Sequence, residues 1–184
     1  MTTAQPTPAP EVLVLFASRH GATRGVAERI AARLREAGLA VRLAGVEDAG
    51  DLPAGAAVVL GAPVYDGRWP PEFETFVARR LQSLGPRRVW LFSVGTFGDT
   101  RRGIGPIMRR EPRNIAAVRD AMRPRDYRVF AGRIERHQWP LPSRMLFHAF
   151  GGRMGDNRDW DAIDARAESI AQALAERPAP AEAR

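Results

Sequence analysis

The chain has 184 residues, 45% hydrophobic and 27% charged, and carries a formal net charge of +7 in which all 28 basic residues are arginine. That length supports one domain with a substantial core, and the absence of cysteine excludes a disulfide framework, a thiolate nucleophile and thiolate metal ligands. No secretory h-region stands near the start and no apolar run is long enough to cross a bilayer, so a cytoplasmic location is expected.

The first ten residues, MTTAQPTPAP, and the ending RPAPAEAR are Pro/Ala-rich and aperiodic. They are expected as disordered tails, 1–10 and 178–184, around one domain over 11–177. Val12–Ala17, VLVLFA, is a continuous apolar run, the mark of a strand covered on both faces. A helix is predicted over Thr23–Ala37, with Val26, Ile30 and Leu34 on one stripe and Gly38 at its stop. Strands follow at Leu39–Ala44 and Ala56–Gly61. The next helix, Pro71–Leu84, opens on proline and buries Phe73, Phe76, Val77, Leu81 and Leu84. Val89–Val94 is a fourth strand, and Gly98–Arg123 a Gly/Arg-rich excursion ending in a helix. Tyr127–Ile134 is a fifth strand, and Trp160, Ile163, Ala167, Ile170 and Leu174 mark a last helix to Ala175.

Strands alternating with helices predict an α/β fold, a doubly wound five-stranded parallel sheet of order 2-1-3-4-5 with helices on both faces. In such a sheet a ligand belongs at the carboxyl ends of the strands, near the switch point between the first and third. Three loops at that edge have suitable chemistry. After the first strand, SRHGAT places Ser18 and Thr23 around Gly21 where a helix opens, which is how backbone amides and hydroxyls cradle a phosphate. The bland alternative is an ordinary N-cap at Thr23 and a turn at Gly21. The second loop, GAPVYDGRWPPEF, offers Tyr65 and Trp69, and the third, SVGTFGDT, offers Gly95, Phe97 and Gly98. Glycine-exposed amides beside aromatic rings suit a flat heteroaromatic ligand. Here the alternative is that Trp69 and Phe97 only cover the ends of the sheet.

The stretch FASRHGATRGVAERIA resembles the phosphate loop and first helix of flavodoxins. Together with GAPVYDGRWPPEF, FSVG, RPRDYRVFAGRI and the late GGRMGDNRDW, it is most similar to the flavodoxin-domain branch of the menaquinone-dependent protoporphyrinogen oxidases. The resemblance covers Val12–Ala175 and implies a flavodoxin-like fold, FMN as cofactor, and an FMN-dependent oxidoreductase of the protoporphyrinogen dehydrogenase (quinone) kind. It implies that Ser18, Arg19, His20, Gly21, Ala22 and Thr23 surround the FMN phosphate. It further implies that Pro63, Val64, Tyr65, Asp66, Gly67 and Trp69, with Ser93, Val94, Gly95, Thr96, Phe97 and Gly98, flank the isoalloxazine ring. His20 stands where flavodoxins usually carry a hydroxyl residue.

The partners expected are small-molecule redox substrates, a porphyrinogen and a quinone, with peripheral contact to the inner face of the cell membrane as a further expectation. Nucleic acid is not expected, because the arginines are spread along the chain without an RNP motif or a Cys/His finger. No Ser/His/Asp triad, metal cluster or paired catalytic carboxylates stand out, so no catalytic residue is assigned and no metal is expected. His137 falls after the fifth strand at the ligand edge, where an imidazole can move a proton, though a solvated loop residue is the plainer reading. His148 reads as a packed helix residue, and Asp66 and Asp99 as loop caps. Arg101, Arg102, Arg109, Arg110 and Arg113 crowd the excursion beside the ligand edge, suited to carboxylates or phosphates, or simply solvated. Trp139, Leu141, Met145, Leu146, Phe147 and Phe150 form either a helix packed on the sheet or an interfacial patch. Two other functional classes are compatible with these residues: a regulatory or binding module whose pocket has lost flavin, and a flavodoxin-type electron carrier without its own substrate. Such carriers tend to be acidic, and +7 argues against that.

Overall fold

The computed structural model describes residues 11–95, 113–134 and 155–176. Strands β1 (Glu11–Phe16), β2 (Ala40–Gly45), β3 (Ala57–Pro63), β4 (Val89–Gly95) and β5 (Asp126–Ala131) form an all-parallel sheet in the order β2-β1-β3-β4-β5. Helices α1 (Ala22–Glu36), α2 (Pro71–Leu84), α3 (Arg113–Met122) and α4 (Trp160–Ala175) cover it. This is the doubly wound fold expected from the strand–helix alternation.

Why the strands read as unbroken apolar runs is visible in β1. Val12, Val14 and Phe16 face α1 and α4, joining Val26, Ile30, Leu34, Ile163, Ile170 and Leu174. Leu13 and Leu15 point the other way, onto Phe73, Val77 and Leu84 of α2 and Ile115 and Met122 of α3. Side chains alternate across a strand, and with helices on both faces neither set meets water. Each such fully buried Leu, Val or Ile stabilises the fold by about 1.5–3 kcal/mol.

One close approach dictates a residue in the middle of the sheet. The Phe92 ring of β4 lies directly over Gly61 of β3, so a Cβ at position 61 would run into that ring.

The fifth strand departs from expectation. Predicted to continue to Ile134, it ends at Ala131. The Gly132 N–H makes the last rung of the ladder, to the Gly95 carbonyl at 2.8 Å, while the Gly132 carbonyl accepts from the N–H of Asn157 at 3.2 Å, outside the sheet. Arg133–Ile134 (β6) then pairs antiparallel with Gly155–Asp156 (β7), a separate two-stranded annex beyond the carboxyl ends of β4 and β5. The expectations for Thr96, Phe97, Gly98, Asp99, Arg101, Arg102, Arg109 and Arg110 lie outside the described residues. So do those for His137, Trp139, Leu141, Met145, Leu146, Phe147, His148, Phe150 and the two terminal tails. Among the described residues no helix is long and apolar enough to cross a membrane.

Candidate anion and ring site at the carboxyl edge

The loop between β1 and α1 ends at Gly21, whose φ of 79° and ψ of −12° place it in the left-handed region that favours glycine. Gly21 is the residue that caps α1, which begins at Ala22; the cap is not Thr23. No side chain bonds to the cap, and the first turn holds no acidic residue. The positive end of the helix dipole therefore has no carboxylate of its own set against it there. Among the described residues, a Cβ built at Gly21 would meet nothing within 4 Å, so none of them closes off the backbone at this point. Ser18 accepts a hydrogen bond on Oγ from the N–H of Arg24 at 3.2 Å, and Thr23 is buried.

Arg19 crosses from this loop to the next. Its Nε and Nη2 donate to the two carboxylate oxygens of Glu72 at 3.2 Å each, and its guanidinium lies 5.9 Å from the ring centre of Tyr65. The His20 imidazole approaches the same ring edge-on, with centres 6.0 Å apart and planes at 84°. The hydrogen bond from Arg19 holds the Glu72 carboxyl below its usual value and raises Arg19 in turn. Burial pushes the Tyr65 phenol up, against the pull of Arg19. Glu72 was not singled out from the sequence, where it reads only as an acid suited to the first turn of α2.

The β3 loop turns tightly. Tyr65 and Arg68 exchange N–H···O=C bonds at 2.9 and 2.8 Å around Asp66 and Gly67, both at positive φ (47° and 75°). That is the two-residue hairpin for which Asp-Gly is a preferred pair. Pro63 ends β3, and the Val64 N–H donates to the Val94 carbonyl at 2.9 Å, tying this loop to β4. Beneath the rim, Trp69 is 2% exposed. Its Nε1 donates to Ser93 Oγ at 2.9 Å, and the Tyr127 hydroxyl bonds the same oxygen at 3.0 Å. The Trp69 ring meets Phe73 edge-on at 5.2 Å.

Ser18 to Thr23, Pro63 to Gly67, Val94 and Gly95 are thus gathered at the ends of β1, β3 and β4. The side chains of Trp69 and Ser93 lie under that rim, satisfied by each other. At Gly95 an added Cβ would again meet nothing within 4 Å among the described residues. Thr96, Phe97 and Gly98 lie outside the described residues. The annex reaches the same place: a Cβ at Gly132 would sit 3.9 Å from the Ala22 Cβ in the first turn of α1. No short-range pattern in the sequence marks that contact.

A family model described as "Flavodoxin domain" matches residues 13–156. Among curated proteins, the S-adenosyl-L-methionine-dependent tRNA 4-demethylwyosine synthase of Oryza sativa subsp. japonica is 36% identical over 108 residues. That match covers 50% of this chain and only 16% of the rice protein. Among solved structures, a flavodoxin from the domain Archaea superposes with a TM-score of 0.57 at 15% identity, covering 90% of this chain and 99% of its own. The rubredoxin oxygen:oxidoreductase of Desulfovibrio gigas gives a TM-score of 0.58 at 16% identity, covering 91% of this chain and 37% of its own. At these identities the structural likeness establishes the fold.

Proposed function

The chain belongs to the flavodoxin domain family, and from that premise we propose that it binds FMN at the carboxyl edge and works as an FMN-dependent oxidoreductase. The observation that carries this reading is the opening of α1, capped by a left-handed glycine, with no acid in the first turn and only the Arg24 N–H taken by a side chain, that of Ser18. Converging amides at a positive helix end suit a dianionic ester. The residues present fit the group, because the backbone at Gly21 and Gly95 is approachable and an aromatic ring, Tyr65, borders the space between.

In this reading Ser18 to Thr23 hold the phosphate, while Pro63 to Gly67 and Val94 to Gly95 flank the ring. FMN, when bound, supplies the hydride and single-electron chemistry. The chain binds and orients. Amides of the α1 opening fix one end, and Tyr65, braced by Arg19 and His20, borders the other. The Trp69–Ser93–Tyr127 hydrogen bonds tie the loop after β3 to β4 and β5. The reading extends to a reduced porphyrinogen as donor and a menaquinone-type quinone as acceptor. Its support there is the resemblance of GDNRDW and the flanking segments to the protoporphyrinogen oxidases, together with a net charge of +7 that suits propionate-bearing substrates.

The test is a visible absorption spectrum of the purified protein with added FMN, followed by anaerobic reduction and mixing with a menaquinone analogue, with and without porphyrinogen. Flavin bands bound to protein, reoxidation by the quinone and porphyrinogen turnover are expected. A protein that leaves the FMN spectrum unchanged overturns the cofactor assignment. Bound FMN without porphyrinogen turnover overturns the substrate and leaves an electron carrier.

A further inference from the structure

We infer that Arg158, seated on the bare backbone of Gly25, is a positioning residue for the opening of α1. It pins the β6–β7 annex to the turn that would hold the phosphate, so this inference rests on the FMN reading above.

Gly25 lies in the second turn of α1, bonding back to the Gly21 carbonyl at 3.0 Å. Glycine is disfavoured inside a helix, so its presence asks for a reason. A Cβ at position 25 would collide with Nη1 of Arg158. The guanidinium is held on two further sides. Nε and Nη2 donate to the Asp156 carboxylate at 2.8 and 2.5 Å, and the Trp160 ring centre lies 4.4 Å from Cζ. Only 12% of the Arg158 side chain is exposed. A surface arginine that roamed in solvent would show none of this.

The segment that carries Arg158 also carries Asn157, whose N–H bonds to the carbonyl of Gly132, while the Gly132 N–H bonds to Gly95. The annex therefore touches the end of β4, the first turn of α1 and the start of α4. Arg158 is its fastening to α1. Fixing the annex fixes the wall against Ala22, and it sets a positive charge about one helical turn, roughly 5–6 Å along the axis, from Gly21. Arg158 itself contacts Gly25, Asp156 and Trp160, none of them on β4, so its guanidinium acts on an anion at the helix mouth and not on an uncharged ring bound further along the edge.

The full chain is tested as wild type, Gly25→Ala, Arg158→Ala, Arg158→Lys and the Gly25→Ala/Arg158→Ala double variant. Gly25→Ala is the key variant, because the atom it displaces is the far end of a flexible side chain and α1 itself accepts alanine. Dissociation constants for FMN and for riboflavin, which lacks the phosphate, are measured by flavin fluorescence, alongside unfolding midpoints without ligand. Gly25→Ala and Arg158→Ala should each weaken FMN at least tenfold while changing riboflavin less than threefold. The double variant should be no worse than the worse single one, since both remove one contact. Arg158→Lys, which keeps the charge but loses the fork, should recover less than half of the lost FMN affinity on a logarithmic scale. Equal losses for FMN and riboflavin, additive losses in the double variant, or full FMN affinity in Gly25→Ala overturn this inference alone. A wild-type chain that binds neither flavin overturns the FMN reading and the inference with it.

Discussion

Ser18 takes the Arg24 N–H on its oxygen, and a hydroxyl that accepts still has a proton to give. If an ester dianion sits at the mouth of α1, Ser18→Ala removes one hydrogen bond to a charged group, worth about 1.5–3 kcal/mol. FMN affinity should then fall roughly 10- to 100-fold with riboflavin affinity unchanged; an unchanged FMN constant in a fluorescence titration would remove Ser18 from the cradle. Trp69 makes the opposite case. Its indole is committed to Ser93 and Phe73, so Trp69→Phe should keep the packing and lose one buried hydrogen bond. A stability loss of about 1 kcal/mol is expected, read as a lower denaturant midpoint, with the FMN-to-riboflavin ratio unaltered. These two residues also mark how far the site was legible. The turn in SRHGAT is legible locally, because a glycine just before a helical stripe marks a left-handed position, and Gly21 has that conformation. Whether Trp69 faces a ligand or the core depends on Ser93, 24 positions away, and a one-dimensional pattern does not encode which partner a ring will find. Glu72 was hidden for the same reason: only the fold brings it to Arg19.

At the level of elements, periodicity carried most of the information. Two-sided burial makes β1, β3 and β4 apolar but for Glu11 at the start of β1 and the hydrogen-bonded Ser93, and α2 shows its proline start and its buried stripe, so their order and type follow from the chain. The end of β5 does not. YRVFAGRI keeps a strand-like composition through Ile134, yet β5 stops at Ala131: Gly132 closes the last rung to Gly95 and gives its carbonyl to Asn157 instead. A hydrogen-bond partner distant in sequence decided it, and propensity had no vote. The sheet also contains a constraint that patterning shows only as a small residue in a run. Gly61 has no Cβ because the Phe92 ring occupies that space, and Phe92 in turn packs on Phe130 at 6.1 Å. Gly61→Ala must push a buried ring off its seat, an overpacking strain of about 1–3 kcal/mol. Urea unfolding should show a lower midpoint with an unchanged slope; stability equal to wild type would mean that the β3–β4 contact is looser than described.

Over the whole molecule, arginine supplies every basic charge, and arginine–carboxylate pairs make junctions both long-range and local. Arg19 joins the β1 loop to α2 through Glu72, and Arg29 joins α1 to α4 through Asp164 with two bonds of 2.6 Å. Arg158 orients the annex through Asp156. In each case the arginine's hydrogen bond is the largest cause holding the carboxyl below its ordinary value. A carboxyl lowered in the folded state binds protons less readily than it does unfolded, so stability from these pairs is complete above the unfolded values near 4. It is then lost as pH descends through the folded values. The loss of negative charge adds to it, because a chain already at +7 becomes more positive and repels itself. Unfolding midpoints should therefore hold steady from pH 7 to about 5 and fall steeply below about 4. Asp164→Asn should lower the neutral-pH midpoint and flatten the acid limb, since the α1–α4 junction no longer has that proton to take up. An acid limb of wild-type slope in Asp164→Asn would show that self-repulsion rather than the pairs governs acid unfolding, and added salt, which screens the former, would then restore stability at low pH.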